Sequence, residues 1–282
     1  MSELTIGVVG AGTMGQGIAQ VAITSGFQVV LCDVAEASLE RGQAAIDKRL
    51  AKLVDKEKLD DPGRQAALAR LTSTTQLDGL AGCQVIIEAA PEDPELKERL
   101  FRDLDALAPH AILASNTSSL SLTRLAAVCE RPERVVGMHF FNPVPVLELV
   151  EVIRAEQTSD ATVEAVQDLA ERLGKTAVLI ADAPGFAVNR LLVPMINEAA
   201  FLLQEGVASA DDIDASMKLG AAHPMGPLQL ADLIGLDVCL AIMEVLQQGF
   251  GDPKYRPCPL LRRMVAAGYL GRKSGRGFHV YD

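Results

Sequence analysis

An open α/β sheet with a helical insertion, followed by a unit made only of helices, is the fold class this sequence predicts. Three observations carry it. A glycine-rich turn joins two apolar runs within residues 4–33, short apolar runs then alternate with helical segments as far as residue 181, and helical periodicity alone continues after residue 184.

Residues 4–9 form the first apolar run and read as a buried strand. Gly10, Ala11, Gly12, Thr13, Met14 and Gly15 follow and open a helix near Thr13, and residues 28–32 make a second buried strand that ends at Asp33. The three glycines serve different ends. Gly10 permits the tight turn, Gly12 lets the backbone approach a diphosphate, and Gly15 lets helix and strand pack closely. The helix start offers that anion free N–H groups and a positive dipole end. Asp33 lies 18 residues after Gly15, where this dinucleotide fingerprint expects a carboxylate on the ribose hydroxyls. An ordinary strand-turn-helix with Asp33 as a solvated cap is the alternative. An acid here repels a 2′-phosphate and residues 34–37 hold no arginine, so NAD is expected over NADP, on a Rossmann-type doubly wound sheet.

Residues 36–71 are polar and alanine-rich, with helical spacing broken at Asp61-Pro62-Gly63, and read as a two-helix insertion too charged to be core. Strands are expected at 85–90, 111–115 and 135–140, with helices at 95–106 and 122–128 between them. A strand at 148–153, a helix at 161–173 and a last strand at 177–181 complete a parallel sheet, and residues 182–185 break it. Ligands of such a sheet lie beyond the carboxyl ends of its strands. Glu92, residues 115–119 and residues 139–142 all follow strands. Helices are then expected at 188–204, 209–219, 227–247 and 260–267, which divides the chain into an NAD-binding domain, 1–183, and an all-α domain, 184–282. Apolar residues on more than one face of 191–203 suggest a buried subunit interface there.

Composition excludes several classes. With 282 residues, 49% hydrophobic and 22% charged, the chain has ample core, and its longest apolar runs, 199–203 and 238–243, are far too short to span a membrane. Residues 1–3 leave no room for a signal or transit segment before the first strand, and five scattered cysteines give neither a disulfide framework nor a CxxC pair. The expected compartment is the reducing cytoplasm, and no metal site is predicted. A net charge of −11 disfavours nucleic acid. Any anionic ligand must meet a local basic cluster, either Lys48-Arg49-Lys52-Lys56-Lys58 or Arg262-Arg263 with Arg272-Lys273-Arg276. On charge alone, each is a solvated face or tail.

Four histidines leave few candidates for proton transfer. His139 ends a strand and is followed by a loop stiffened by Pro143 and Pro145, which would hold it at the ligand edge of the sheet. Catalysis needs a carboxylate to orient the imidazole and stabilise its protonated form. Strand alternation sends Glu148 and Glu151 to opposite faces, and Glu151, flanked by apolar residues, would be costly to bury without a partner. His139 fits that need; an edge strand with both glutamates solvated is the alternative. Residues 116–119 supply amide and hydroxyl groups suited to a carbonyl, although a cap for the helix near Leu122 explains such a run as well. Asn189 opens the first helix of the second domain and is either a ligand contact or an ordinary helix-start residue.

These blocks together carry a family resemblance. Residues 10–15, Ser115-Asn116-Thr117-Ser118-Ser119-Leu120, Gly137-Met138-His139-Phe140-Phe141-Asn142-Pro143, Leu149-Val150-Glu151-Val152, residues 182–192 and residues 220–228 resemble the short-chain L-3-hydroxyacyl-CoA dehydrogenases. Within that family the length is nearest to the bacterial 3-hydroxybutyryl-CoA members. The resemblance implies His139 as general base, Glu151 orienting it, and Ser118 and Asn189 on the substrate oxygen. It also implies Gly10 to Gly15, Asp33, Glu92, Lys97, Ser118, Asn142 and Lys273 on the NAD side. For the CoA tail it points to Lys56, Lys52 and Arg49 of the insertion, although Arg49 stands where relatives carry a small hydroxyl residue. A homodimer through the C-terminal helices is implied too. A 3-hydroxyadipyl-CoA or a non-CoA hydroxy acid substrate is the alternative within the class, and the basic insertion argues against the second. A non-catalytic nucleotide-sensing protein would have lost His139 or Glu151, and both are present.

Overall fold

The computed structural model describes residues 4–281, so the leader reading at Met1, Ser2 and Glu3 falls outside the described residues. The chain divides into two compact units, Met1–Asp182 and Ala183–Asp282. The first begins with β1 (Thr5–Val9), α1 (Thr13–Thr24) and β2 (Gln28–Cys32), then the insertion helices α2 (Glu36–Asp55) and α3 (Asp61–Leu68). It continues with β3 (Leu71–Thr74), β4 (Val85–Glu88), α4 (Pro94–Leu107), β5 (Ile112–Ser115), α5 (Leu122–Ala126), β6 (Val135–Phe140), β7 (Leu149–Arg154), α6 (Asp160–Arg172) and β8 (Thr176–Ala181). All eight strands form one sheet in the order β3-β2-β1-β4-β5-β6-β7-β8. The order reverses between β1 and β4, which is where a doubly wound sheet opens its ligand crevice.

Three sequence expectations for the first unit need correction. The sheet is mixed, because β7 runs antiparallel to β6 while the other neighbours are parallel. Residues 141–148 are too few for the crossover of a dozen or more residues that a parallel pair requires. Strand β3 was hidden by its polar LTST sequence, which has no apolar alternation to read. The insertion is not wholly outside the core either: α2 turns Leu39, Ile46 and Leu50 inward while its opposite face carries the charges.

Local signals set the helix starts. Asp93 accepts a hydrogen bond from Leu96 N and Pro94 occupies the first turn of α4, Ser121 accepts from Arg124 N at α5, and Ser159 accepts from Thr162 N at α6. The second unit contains α7 (Val188–Gln204), α8 (Ala210–Gly220), α9 (Pro227–Ile234), α10 (Leu236–Phe250) and α11 (Pro259–Ala266). One helix was expected over 227–247. Gly235, at φ +108, ends α9 and starts α10, a backbone conformation that a side chain would strain. Val193, Ile196, Leu236, Met243 and Leu261 form the centre of this unit's own core. Among the described residues no helix is long and apolar enough to cross a membrane.

Candidate active site

The glycine turn sits at the carboxyl end of β1. Gly10 has φ +100, and a Cβ there would lie 2.6 Å from Ala89 O; a Cβ on Gly15 would lie 1.8 Å from Gly10 O. Both positions therefore demand glycine. A Cβ on Gly12 would meet nothing within 4 Å, so the space beside it is open. The N-terminus of α1 has no capping side chain and no acid in its first turn. Its backbone donors and dipole therefore face that open space, a cradle that fits a diphosphate. Asp33, just past β2, accepts from Ala11 N at 2.8 Å and from Ala35 N at 3.0 Å, and so braces the turn besides standing beside it.

Beyond β4 and β5, Glu92 gathers the next loop. Its Oε1 accepts from Thr117 Oγ1 at 2.5 Å, from the backbone N of Ser118 at 3.0 Å and of Ser119 at 3.2 Å, and from Ser119 Oγ at 3.0 Å. Ser118 Oγ lies 3.4 Å from the same oxygen. Lys97, on α4, is buried and reaches Glu92 Oε2 at 3.3 Å and Glu88 Oε1 at 2.5 Å. Burial alone would raise the Glu92 carboxyl; the Lys97 charge and the hydrogen bonds from Thr117, Ser118 and Ser119 outweigh it and hold Glu92 below the usual carboxylate range.

His139 and Glu151 are directly paired residues of the antiparallel β6–β7 ladder, so their side chains leave the same face. His139 Nδ1 lies 2.8 Å from Glu151 Oε2, with side-chain exposures of 7% and 1%. The antiparallel strand, expected from the sequence to be parallel, is therefore what brings the acid to the base. Phe141 packs on the imidazole with ring centroids 4.5 Å apart. Asn116 Oδ1 accepts from Phe140 N at 2.9 Å and ties the end of β6 to the loop after β5.

Of the other residues singled out from sequence, Asn142 is exposed in the loop after β6. Asn189 lies in the first turn of α7, in the second unit, as does Lys273, which pairs with Asp237 at 2.6 Å. Lys52 is exposed on α2 and Lys56 caps its end, with Arg49 one turn before Lys52 on the same face. Arg49 Nε is hydrogen-bonded to Gln20 Oε1 at 2.5 Å, and its Nη2 is buried without a hydrogen-bond partner among the described residues. The cysteines are poor nucleophiles at neutral pH: burial pushes the Cys32 and Cys83 thiols up to about 11 and that of Cys239 up to about 12.

Sequence reasoning missed two supports. Glu88 falls inside the strand expected at 85–90, and nothing near it in sequence announces its partners. Lys175, nearly buried before β8, donates to Val144 O at 2.6 Å and Leu147 O at 2.8 Å and so fixes the loop between β6 and β7.

Comparison with known proteins decides which dinucleotide enzyme this site resembles. Residues 5–183 match the family described as 3-hydroxyacyl-CoA dehydrogenase, NAD binding domain, and residues 185–281 match the C-terminal domain of the same family. The chain belongs to the 3-hydroxyacyl-CoA dehydrogenase family. It is accordingly an oxidoreductase, with NAD as its cofactor. The 3-hydroxybutyryl-CoA dehydrogenase of Bradyrhizobium diazoefficiens is 54% identical over 98% of this chain and 94% of its own length. That of Clostridioides difficile is 48% identical over 99% of this chain and 100% of its own. The crystal structure of (S)-3-hydroxybutyryl-CoA dehydrogenase from Ralstonia eutropha superposes with a TM-score of 0.97 at 53% identity and covers 100% of both chains.

Proposed function

We infer that this enzyme interconverts (S)-3-hydroxyacyl-CoA and 3-oxoacyl-CoA, with the four-carbon pair, 3-hydroxybutyryl-CoA and acetoacetyl-CoA, as its substrate. The buried His139–Glu151 pair at 2.8 Å carries the reading. An ionised Glu151 accepts the proton on His139 Nδ1, which leaves Nε2 as the basic atom of the ring. His139 then removes the proton of the 3-hydroxyl, and Glu151 stabilises the imidazolium so formed. Bound NAD supplies the hydride acceptor. Ser118 and Asn189 hydrogen-bond the substrate oxygen as its charge changes. The turn of residues 10–15 holds the diphosphate, Asp33 the ribose, and Glu92, Ser118, Asn142 and Lys273 complete the cofactor contacts, with Lys97, buried behind Glu92, acting on the cofactor site through that carboxylate.

The stripe of Arg49, Lys52 and Lys56 on α2 receives the anionic CoA tail. A buried guanidinium nitrogen without an acceptor, as at Arg49 Nη2, is costly, and a phosphate oxygen would satisfy it. The names of the relatives above support the four-carbon chain. Exposed apolar residues of the second unit, Leu191 and Leu219 at 76% and 87%, support a homodimer through its helices, and the free cysteines support the reducing cytoplasm.

The test is NADH consumption with acetoacetyl-CoA at neutral pH, where absence of a rate with both NADH and NADPH would overturn the reading. Rates across four- to ten-carbon 3-oxoacyl-CoA substrates, including a dicarboxylic one, check the chain length; a faster dicarboxylic substrate would replace the four-carbon assignment. Sedimentation at the monomer mass would remove the dimer.

A further inference from the structure

Glu88, the last residue of β4, is fully buried and has no part in the chemistry described so far. Its Oε1 accepts from Lys97 Nζ at 2.5 Å and from Ala90 N at 2.7 Å, and its Oε2 accepts from Ser115 Oγ at 2.6 Å. Lys97 Nζ also lies 3.2 Å from Ala90 O and 3.3 Å from Glu92 Oε2. An ammonium group has three protons, and three oxygens surround this one. Ser115 Oγ in turn accepts from Thr117 N at 3.1 Å. The loop after β5 is therefore held at both ends by carboxylates, Glu88 at Ser115 and Glu92 at residues 117–119, and Lys97 joins the two. Replacing a buried ion pair by a well-packed apolar pair is often neutral or stabilising, so stability is a weak account of this one. Its geometry ends on the loop that carries Ser118.

We propose that Glu88 is a positioning residue of the reaction: through Lys97 it fixes Glu92, and through Glu92 it fixes Ser118. Without its carboxylate, Lys97 keeps Ala90 O and Glu92, whose side chain is 36% exposed, and its charge draws Glu92 away from residues 117–119. The inference rests on the reading of Ser118 as the group that meets the substrate oxygen.

A double-mutant cycle tests it, with kcat measured at saturating NADH and acetoacetyl-CoA. Ser118→Ala lowers kcat about 100-fold, the usual loss on removing one preorganised donor. Glu88→Gln lowers it about 10- to 100-fold, the effect of a small misplacement of a reacting group. The double variant falls no further than Ser118→Ala alone, because both changes remove the same contact. Multiplying losses, or a Glu88→Gln enzyme with parental kcat, would overturn the role of Glu88 while leaving Ser118 in place. A Ser118→Ala enzyme with parental kcat would overturn the reading of Ser118, and the inference with it. Should Glu88→Gln fail to fold, the paired Glu88→Gln/Lys97→Met variant removes both buried charges at nearly unchanged side-chain volume, and the same cycle and outcomes apply.

Discussion

Replacing Glu151 by glutamine removes one charge and little volume. The two side chains are nearly buried and 2.8 Å apart, so at an effective dielectric of about 20 the charge on Glu151 favours an imidazolium by at most about 6 kcal/mol. A glutamine oxygen can still accept from Nδ1, which retains part of that interaction as a neutral hydrogen bond. We expect a loss of about 2–4 kcal/mol in the transition state, equivalent to about 30- to 900-fold in kcat. Steady-state oxidation of NADH by acetoacetyl-CoA measures it, and quenching of NADH fluorescence reports cofactor binding separately. NADH affinity should change less than threefold, since the pair acts on a proton and not on the diphosphate. A kcat within threefold of the parent enzyme, or NADH affinity falling in step with kcat, would refute the assignment.

Three further outcomes follow from the same geometry. Asp33→Ala removes both the repulsion of a 2′-phosphate and the acceptor for Ala11 N, so NADH should bind more weakly while the ratio of kcat/KM for NADPH over NADH rises about tenfold; an unchanged ratio would take Asp33 off the ribose. Gly10→Ala forces a side chain to φ +100 and into Ala89 O, which should cost about 1–3 kcal/mol, read as a lowered thermal midpoint. Glu92 titrates below its ordinary 4.5 in the folded protein, so its contribution to stability is complete above that pH and is lost as pH falls through the folded value. Acid unfolding of Glu92→Gln should therefore be less steep below pH 4.5 than that of the parent, and parallel curves would contradict the pairing.

The alternation of apolar runs and helices was legible because buried parallel strands are almost uniformly apolar, as in β1, β2 and β6. The turn at residues 10–15 and the place of Asp33 beside it were legible because that structure is local, in a turn, a helix start and a strand end. His139 and Glu151 were paired from the cost of burying an acid alone, although the strand direction that brings them together was misread. The length of residues 141–148 held the correction, since it admits a hairpin and no crossover. The role of Glu88 was not legible: it falls inside the strand expected at 85–90, and its partners lie 9 and 27 positions away. The break at Gly235 was equally silent, because one glycine within an apolar helical pattern is ordinary unless its φ is known.

The direction of β7 changes what the loop before it must do. In the parallel half of the sheet, the carboxyl ends of strands all point one way, and their loops can deliver ligand groups without fixing a register. In the β6–β7 pair, register is the chemistry: a slip of one residue would turn Glu151 to the opposite face and leave His139 beside an apolar side chain. The loop of residues 141–148 therefore has a length to keep. Lys175 holds it through the carbonyls of Val144 and Leu147, and burial pushes that ammonium below its ordinary value, with Glu148 partly opposing. From the other side, Val144 packs so closely on α1 that a Cβ at Gly17 would lie 2.8 Å from its Cβ. The helix whose first turn faces the diphosphate cradle is thus also the floor of the loop that sets the His139–Glu151 register. A side chain at Gly17 would therefore press on Val144 and on that loop.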